Sequence, residues 1–184
     1  DMINLLGSGK SLNCNLSYRV QEDSLGIAHA LSLCEDFCED SRFCVILGDN
    51  IFEDSLEKYV KDFELSKESC CLFLKTVPDP EKFGIAIMNN NNTEISTIIE
   101  KPVNSNSNYC VTGIYMYDSS VFSKISTLEK SERGEYEISH VNQLYVDEKN
   151  YKFKLLGGWW SDAGTFCSYK NANDLLWRLE NERS

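Results

Sequence analysis

Short apolar runs alternate along the chain with longer stretches of helical spacing. Residues 16–20, 43–47, 70–77, 85–88, 95–99, 111–117 and 153–156 are rich in β-branched and aromatic side chains and end in turn formers, which predicts strands. Three intervening stretches predict amphipathic helices. Residues 25–37 carry Leu25, Ala28, Leu31 and Leu33. Residues 56–65 follow an Asp54 or Ser55 cap and set Tyr59, Val60 and Phe63 on one side, and residues 166–179 close the series. The order strand, helix, strand, helix and then a run of strands predicts an α/β fold. Its sheet is expected to be parallel in the first part and mixed in the later part. The polar run Asn89 to Thr93 between two strand patterns reads as a hairpin loop. No repeat and no Pro-, Gly- or Ser-rich linker divides the chain, so residues 1–184 are expected to form one domain.

Composition narrows the picture. The 184 residues suffice for a sizeable core without disulfides. Eighteen Lys and Arg against 29 Asp and Glu leave a formal charge of −11, which disfavours any broad hold on a nucleic acid backbone. A local site for a small anion remains compatible with that balance. No apolar run approaches the roughly 20 residues of a membrane helix, and no basic segment precedes an apolar one at the start, so a cytoplasmic protein is expected. The eight cysteines contain no Cys-x-x-Cys pair, so zinc-finger and thioredoxin spacings are missing. Those within Phe43 to Ile46 and Cys70 to Phe73 read as small hydrophobes.

Several motifs can carry chemistry. Gly9-Lys10-Ser11 imitates the tail of a phosphate loop, but Asn4 stands where that loop needs glycine, so a surface loop is expected. The apolar run 43–47 leads into Gly48-Asp49-Asn50, which sets a carboxylate at the sheet edge where α/β folds bind ligands. Asp49 could hold Mg²⁺ against phosphates or cap the following helix. Asp162, within Trp159 to Thr165, is the second carboxylate such a cation would want; capping by Asp162 or Thr165 is the alternative. Glu100-Lys101-Pro102 could set an ammonium on a phosphate and a carboxylate on sugar hydroxyls, or form a solvated pair. Arg133-Gly134-Glu135 offers a guanidinium to a phosphate, or a helix start. The Gln21 amide can pair with the imide N–H and a carbonyl of thymine or uracil, with Gly26 allowing close approach.

Taken together and in order, these motifs resemble the sugar nucleotidyltransferases, and within them the thymidylyltransferases that act on glucose-1-phosphate. The resemblance runs from about Leu5 to Arg183. It rests on Tyr18 to Gln21 with Gly26 and Ala28, Val45 to Phe52, Asp79-Pro80-Glu81 with Gly84, and Glu100-Lys101-Pro102. Further matches are Asn108-Tyr109 with Val111 to Gly113, Arg133 to Glu135, Glu137-Ile138, and Trp160 to Thr165. It implies a Rossmann-like nucleotidyltransferase domain with a mixed, mainly parallel central sheet flanked by helices. Gln21 and Gly26 would then address the base of dTTP, with Asp49 at the nucleotide. Asp49 and Asp162 would coordinate Mg²⁺. Gly84, Glu100 and Val111 would hold the hexose, Lys101 and Arg133 its phosphate, and Trp160 would wall the pocket. Asp49, Lys101, Arg133 and Asp162 would be the catalytic set.

The sequence departs from the family at Phe83, where a tyrosine is usual, and at Ser139 and His140, where a threonine and an acid are usual; His140 is expected on the surface. The family's opening strand and Gly-rich, Arg-containing turn have no counterpart, and its C-terminal extension is missing. The chain is therefore expected to be an N-terminally truncated, internal portion, inactive alone, of an enzyme that forms a homo-oligomer. UTP could replace dTTP, since Gln21 serves both bases. A non-catalytic sugar-binding or assembly protein is the reading from a different class.

Overall fold

The computed structural model describes residues 2–182. Asp1, Arg183 and Ser184, at the outer limits of the expected domain and resemblance, lie outside them. Helices α1 (Met2–Leu6), α2 (Ile27–Ser32) and α3 (Glu35–Cys38) precede β1 (Phe43–Ile46) and β2 (Asn50–Phe52). Then come α4 (Glu57–Glu64), β3 (Cys70–Thr76), β4 (Gly84–Met88), β5 (Ile95–Glu100) and β6 (Tyr109–Tyr117). The chain continues through α5 (Ser120–Ile125), α6 (Ile138–Asp147), β7 (Tyr151–Leu155), β8 (Trp160–Asp162) and α7 (Phe166–Glu182). Among the described residues no helix is long and apolar enough to cross a membrane.

Six strands form the main sheet, in the order β5-β4-β6-β3-β7, with β1 also paired to β6. The nine residues of β6 are its spine: one edge carries β3, while the other carries β1 beside residues 114–117 and β4 beside residues 109–110. Strand alternation sends Cys70, Leu72, Leu74, Tyr115 and Tyr117 to one face, where α2, α5 and α6 pack through Leu31, Val121 and Val141. Cys71, Phe73, Ile114 and Met116 face the other way and meet Phe63 and Tyr59 of α4. Burial on both faces explains why β3 and β6 are apolar almost throughout. Truncating a fully buried side chain such as Phe73 to alanine is worth about 3–5 kcal/mol.

The α/β class and the mixed sheet with flanking helices stand. The balance of strand directions differs from the expectation of a mainly parallel sheet. Among the described residues only β3–β7 is a parallel ladder, and the others are antiparallel. Strands β1 and β3 do share a direction, as their helical crossover requires, but β6 lies between them and opposes both. Residues 16–20, expected as a strand, have no ladder and leave Val20 exposed, since no described strand lies alongside to take their hydrogen bonds. The helix expected over 25–37 breaks into α2 and α3. There Ser32 Oγ donates to the His29 carbonyl at 2.8 Å, a competing bond that ends the first segment.

The loop at 89–93 is a hairpin turn in which Asn89 Oδ1 accepts from Thr93 N–H at 2.9 Å. All eight cysteines are free thiols, and Cys38, Cys70, Cys71 and Cys110 are buried.

Candidate active site

The site is built where the chain leaves β1. Leu47 N–H donates to the Gly113 carbonyl at 2.8 Å, and Asn50 N–H to the Leu47 carbonyl at 3.0 Å, closing a tight turn that delivers Asp49. Strand β2 then pairs antiparallel with β8, opposing Asn50 to Asp162 and Phe52 to Trp160. Ala163 N–H extends the ladder to the Asp49 carbonyl at 2.8 Å. A two-stranded ribbon therefore holds Asp49 and Asp162 side by side.

Their carboxylates converge on one point. A Cβ added to Gly164 would stand 2.9 Å from Asp162 Oδ1 and 3.1 Å from Asp49 Oδ2, so the two oxygens lie within 6.0 Å of each other. That cradle is open to solvent and lined by hard oxygen donors, which fits Mg²⁺, a cation that takes one or two carboxylates and leaves its other positions to water and phosphate. Among the described residues no group of three or more His, Cys, Asp or Glu side chains could hold a metal.

The capping alternatives resolve separately. Asp54 accepts from Gly157 N–H at 3.3 Å and Gly158 N–H at 2.8 Å, tying the approach to β8 rather than capping α4. Thr165 caps α7 in a reciprocal box with Ser168, each backbone N–H donating to the other's hydroxyl at 3.1 Å. Asp162 Oδ1 accepts from Gly164 N–H at 2.8 Å, inside the turn.

Asp49 and Asp162 stand at the mouth of a cavity of about 250 Å³. Gly84, Glu100, Lys101, Val111 and Trp160, the expected sugar-binding set, all line it. Gly84 and Glu100 oppose each other across the β4–β5 ladder. Phe83 packs edge-on against Trp160 with ring centroids 5.6 Å apart, so the position where the family has a tyrosine serves as part of the wall. Lys101 adopts φ 44, a left-handed conformation costly for a residue with a side chain, and its N–H donates to the Phe83 carbonyl at 3.0 Å. Strain of this kind is kept where a side chain must be aimed.

Arg133 reaches the cavity through its partners. Its guanidinium contacts Glu137 Oε1 at 3.2 Å, Glu135 Oε1 at 3.3 Å and Glu100 Oε1 at 3.7 Å, and Glu100 and Glu137 are cavity residues. Gln21 and Gly26 are next to one another but outside the cavity lining. Gln21 Nε2 donates to the Gly26 carbonyl at 3.1 Å and meets His29 Nδ1 at 2.9 Å. Gly26 has φ 97, and a Cβ there would stand 2.6 Å from the Tyr136 carbonyl oxygen, so packing alone requires glycine. His140 is exposed, as expected.

Sequence reasoning gave no site role to several cavity residues, Asn50, Glu137, Ser139 and Asn142 among them. Asn50 joins three elements through its amide, with Oδ1 accepting from Gly113 N–H and Trp160 Nε1–H and Nδ2 donating to Asp49 Oδ1. Glu137 is buried against Ser131 and Arg133. Ser139 Oγ and Asn142 Nδ2 are buried polar atoms with no hydrogen-bond partner, although Asn142 Oδ1 accepts from Tyr117 Oη at 2.5 Å. A buried donor left unmet in protein is a place for a ligand oxygen or water. Burial, with Asp162, Asp79 and Glu100 nearby, pushes the Cys110 thiol up and keeps it neutral.

The fold is thus a mixed α/β sheet carrying two carboxylates on a side ribbon, beside a cavity partly walled by an indole. The sequence matches the nucleotidyl transferase family over residues 2–178, and the chain belongs to that family. It is 36% identical over 179 residues to glucose-1-phosphate thymidylyltransferase of Mycobacterium tuberculosis, covering 96% of this chain and 62% of the relative. A Bacillus anthracis protein provisionally named a glucose-1-phosphate thymidylyltransferase, solved with sucrose bound, superposes with a TM-score of 0.89 at 47% identity, covering 95% of this chain and 70% of that one. UDP-glucose pyrophosphorylase in complex with UDP-glucose shares the fold, with a TM-score of 0.82 at 21% identity over 96% of this chain and 72% of that one. The chain spans 48% to 62% of the length of the first curated relatives it matches.

Proposed function

We propose that the protein transfers a thymidylyl group from dTTP to a hexose-1-phosphate, glucose-1-phosphate foremost, in a Mg²⁺-dependent reaction. A phosphate oxygen of the sugar-1-phosphate attacks the α-phosphorus of the nucleotide. The bond to the β-phosphate breaks, and pyrophosphate leaves with the electron pair. The observation that supports this most directly is the convergence of Asp49 and Asp162 above a cavity walled by Glu100, Lys101 and Trp160. Mg²⁺ held by the two aspartates would supply positive charge to the phosphate oxygens as negative charge shifts among them.

The chain's own groups do the rest by position and charge, which is where most of the acceleration of such transfers originates. Lys101 and Arg133 bind the sugar phosphate. Glu100 accepts hydrogen bonds from ring hydroxyls, the backbone at Gly84 and Val111 frames the ring, and the indole of Trp160 covers one face. Ser139 Oγ and Asn142 Nδ2 offer unmet hydrogen-bonding groups at the buried end of the cavity, suited to a sugar hydroxyl. Gln21 spends its Nε2 on Gly26 and His29 and keeps Oε1 for the imide N–H of the base, with Gly26 beside it. The same reading carries a cytoplasmic location, consistent with eight free thiols, and a homo-oligomeric full-length protein.

The test is pyrophosphate release by the full-length protein from dTTP, glucose-1-phosphate and Mg²⁺. Release that requires all three, and that falls at least about 100-fold in Asp49→Asn and Asp162→Asn, is the expected result. No release overturns the reading, and faster release from UTP reassigns it to uridylyl transfer.

A further inference from the structure

The Asn50 side chain has no role in the reading above, yet it bonds to three separate parts of the site. Oδ1 accepts from Gly113 N–H on β6 at 2.8 Å and from the indole Nε1–H of Trp160 on β8 at 2.8 Å. Nδ2 donates to Asp49 Oδ1 at 2.9 Å. Both groups meeting Oδ1 are donors only, so the amide cannot turn over without setting its NH₂ against them. The oxygen is thereby pinned, and Nδ2 is left aimed at Asp49.

A carboxylate free to rotate about its last bond would sample many orientations and lose entropy on binding a cation. Asp49 has one oxygen already engaged by Asn50, and its other, Oδ2, lies 3.1 Å from the same Gly164 Cβ point that Asp162 Oδ1 approaches to 2.9 Å. Because Oδ1 of Asn50 also holds the Trp160 indole, the orientation of Asp49 is referred to the sugar-facing wall.

We propose that Asn50 is a positioning residue that locks the Asp49 carboxylate with Oδ2 toward the divalent cation and fixes that carboxylate relative to Trp160. The proposal rests on Asp49 and Asp162 being the cation pair. Groups that orient a metal-binding carboxylate typically carry about 10–100-fold of its metal affinity.

The experiment measures Mn²⁺ binding by calorimetry, well below the melting temperature, for the full-length wild-type protein, Asp49→Asn and Asn50→Ala. Wild type binds saturably, Asp49→Asn does not, and Asn50→Ala binds at least about 10-fold more weakly while still folded. A merely structural role for Asn50 would lower the melting temperature and shift the Trp160 indole N–H resonance but leave cation affinity alone. Equal affinity in wild type and folded Asn50→Ala therefore overturns the proposal and leaves the cation pair standing. Absence of saturable binding in wild type defeats the cation pair and the proposal with it. A second measurement needs no variant: Mg²⁺ titrated into ¹⁵N-labelled wild type shifts the Asn50 side-chain NH₂ resonances, and unchanged resonances at saturation overturn the assignment.

Discussion

Replacing Gly164 by alanine separates the stability of the fold from the competence of the aspartate pair. The added methyl carbon would stand 2.9 Å from Asp162 Oδ1 and 3.1 Å from Asp49 Oδ2, where ordinary contact begins at 3.4 Å, so both oxygens must retreat by a few tenths of an ångström. Each is the far end of a side chain, able to give at the cost of part of one hydrogen bond, and the Gly164 backbone is outside the left-handed region. The fold should therefore lose no more than about 1 kcal/mol. Coordination is less forgiving, because Mg²⁺ holds its oxygens at about 2.0–2.1 Å in a near-ideal octahedron. A methyl group between the carboxylates spoils that geometry and should weaken Mg²⁺ or Mn²⁺ binding at least about 10-fold, equivalent to about 1.4 kcal/mol. Thermal melting with calorimetric titration of the metal reads both quantities on one sample. Wild-type metal affinity in Gly164→Ala would refute the reasoning about the pair. A melting temperature lowered by more than about 10 °C would refute the claim that the fold tolerates the methyl.

Three further outcomes follow from the geometry. Lys101→Gly relieves a left-handed residue that also precedes Pro102; the gain of about 1–2 kcal/mol is partly offset by the about 0.5–1 kcal/mol entropic cost of glycine. Urea unfolding should show equal or slightly higher stability while glucose-1-phosphate binding weakens at least about 10-fold, and a clear loss of stability would contradict the strain argument. Gly26→Ala meets the Tyr136 backbone at 2.6 Å and 2.9 Å with φ at 97, so it should cost about 2–3 kcal/mol in the same assay, against nearly none if the base alone demanded glycine. Burial raises Tyr115, Tyr117 and Tyr145 above the usual phenol range, so the folded state keeps protons that the unfolded chain releases. Their contribution is complete below about pH 10 and declines above it, by up to about 1.4 kcal/mol per pH unit for each group. Urea midpoints at pH 8, 9.5 and 11 should fall with tyrosinate absorbance appearing together with unfolding; tyrosinate forming in the folded state would count against it.

What could be read from the sequence follows its physical strength. Strands β3 to β7 and helix α4 announce themselves because each buries an apolar face, and α7 shows through the spacing of its apolar residues although Phe166, Tyr169 and Trp177 stay exposed. Strands β2 and β8 do not, since three residues each are too short to show alternation, and the proximity of Asp49 and Asp162 was visible only through their chemistry. Helix α6 is obscured by Ser139 and Asn142, polar residues on its buried side that interrupt the stripe. Helix α5 is masked by Ser119, Ser120 and Ser123, which read as loop. Sheet direction is a property of which strands become neighbours, and nothing local to β1 or β3 signals that β6 will insert between them. Glu100, Lys101, Val111 and Trp160 could be assigned to one cavity through the family resemblance. Asn50 could not, because an amide next to a conspicuous aspartate looks like a turn former until its three bonds are seen. Gly26 carries the opposite lesson, since a glycine that suits a ligand is already required by the backbone of Tyr136.

Asp49 and Asp162 come from opposite halves of the chain, yet their spacing is a local matter, decided by three rungs pairing Asn50 with Asp162, Ile51 with Ser161 and Phe52 with Trp160. Loops between those rungs, such as the asparagine-rich tip, can lengthen or shorten without retuning the pair. Deleting a single residue inside either short strand would instead throw the ribbon out of phase and turn one aspartate to the opposite side. The part of this protein least able to drift in length is therefore a six-residue patch, and not the large sheet beside it.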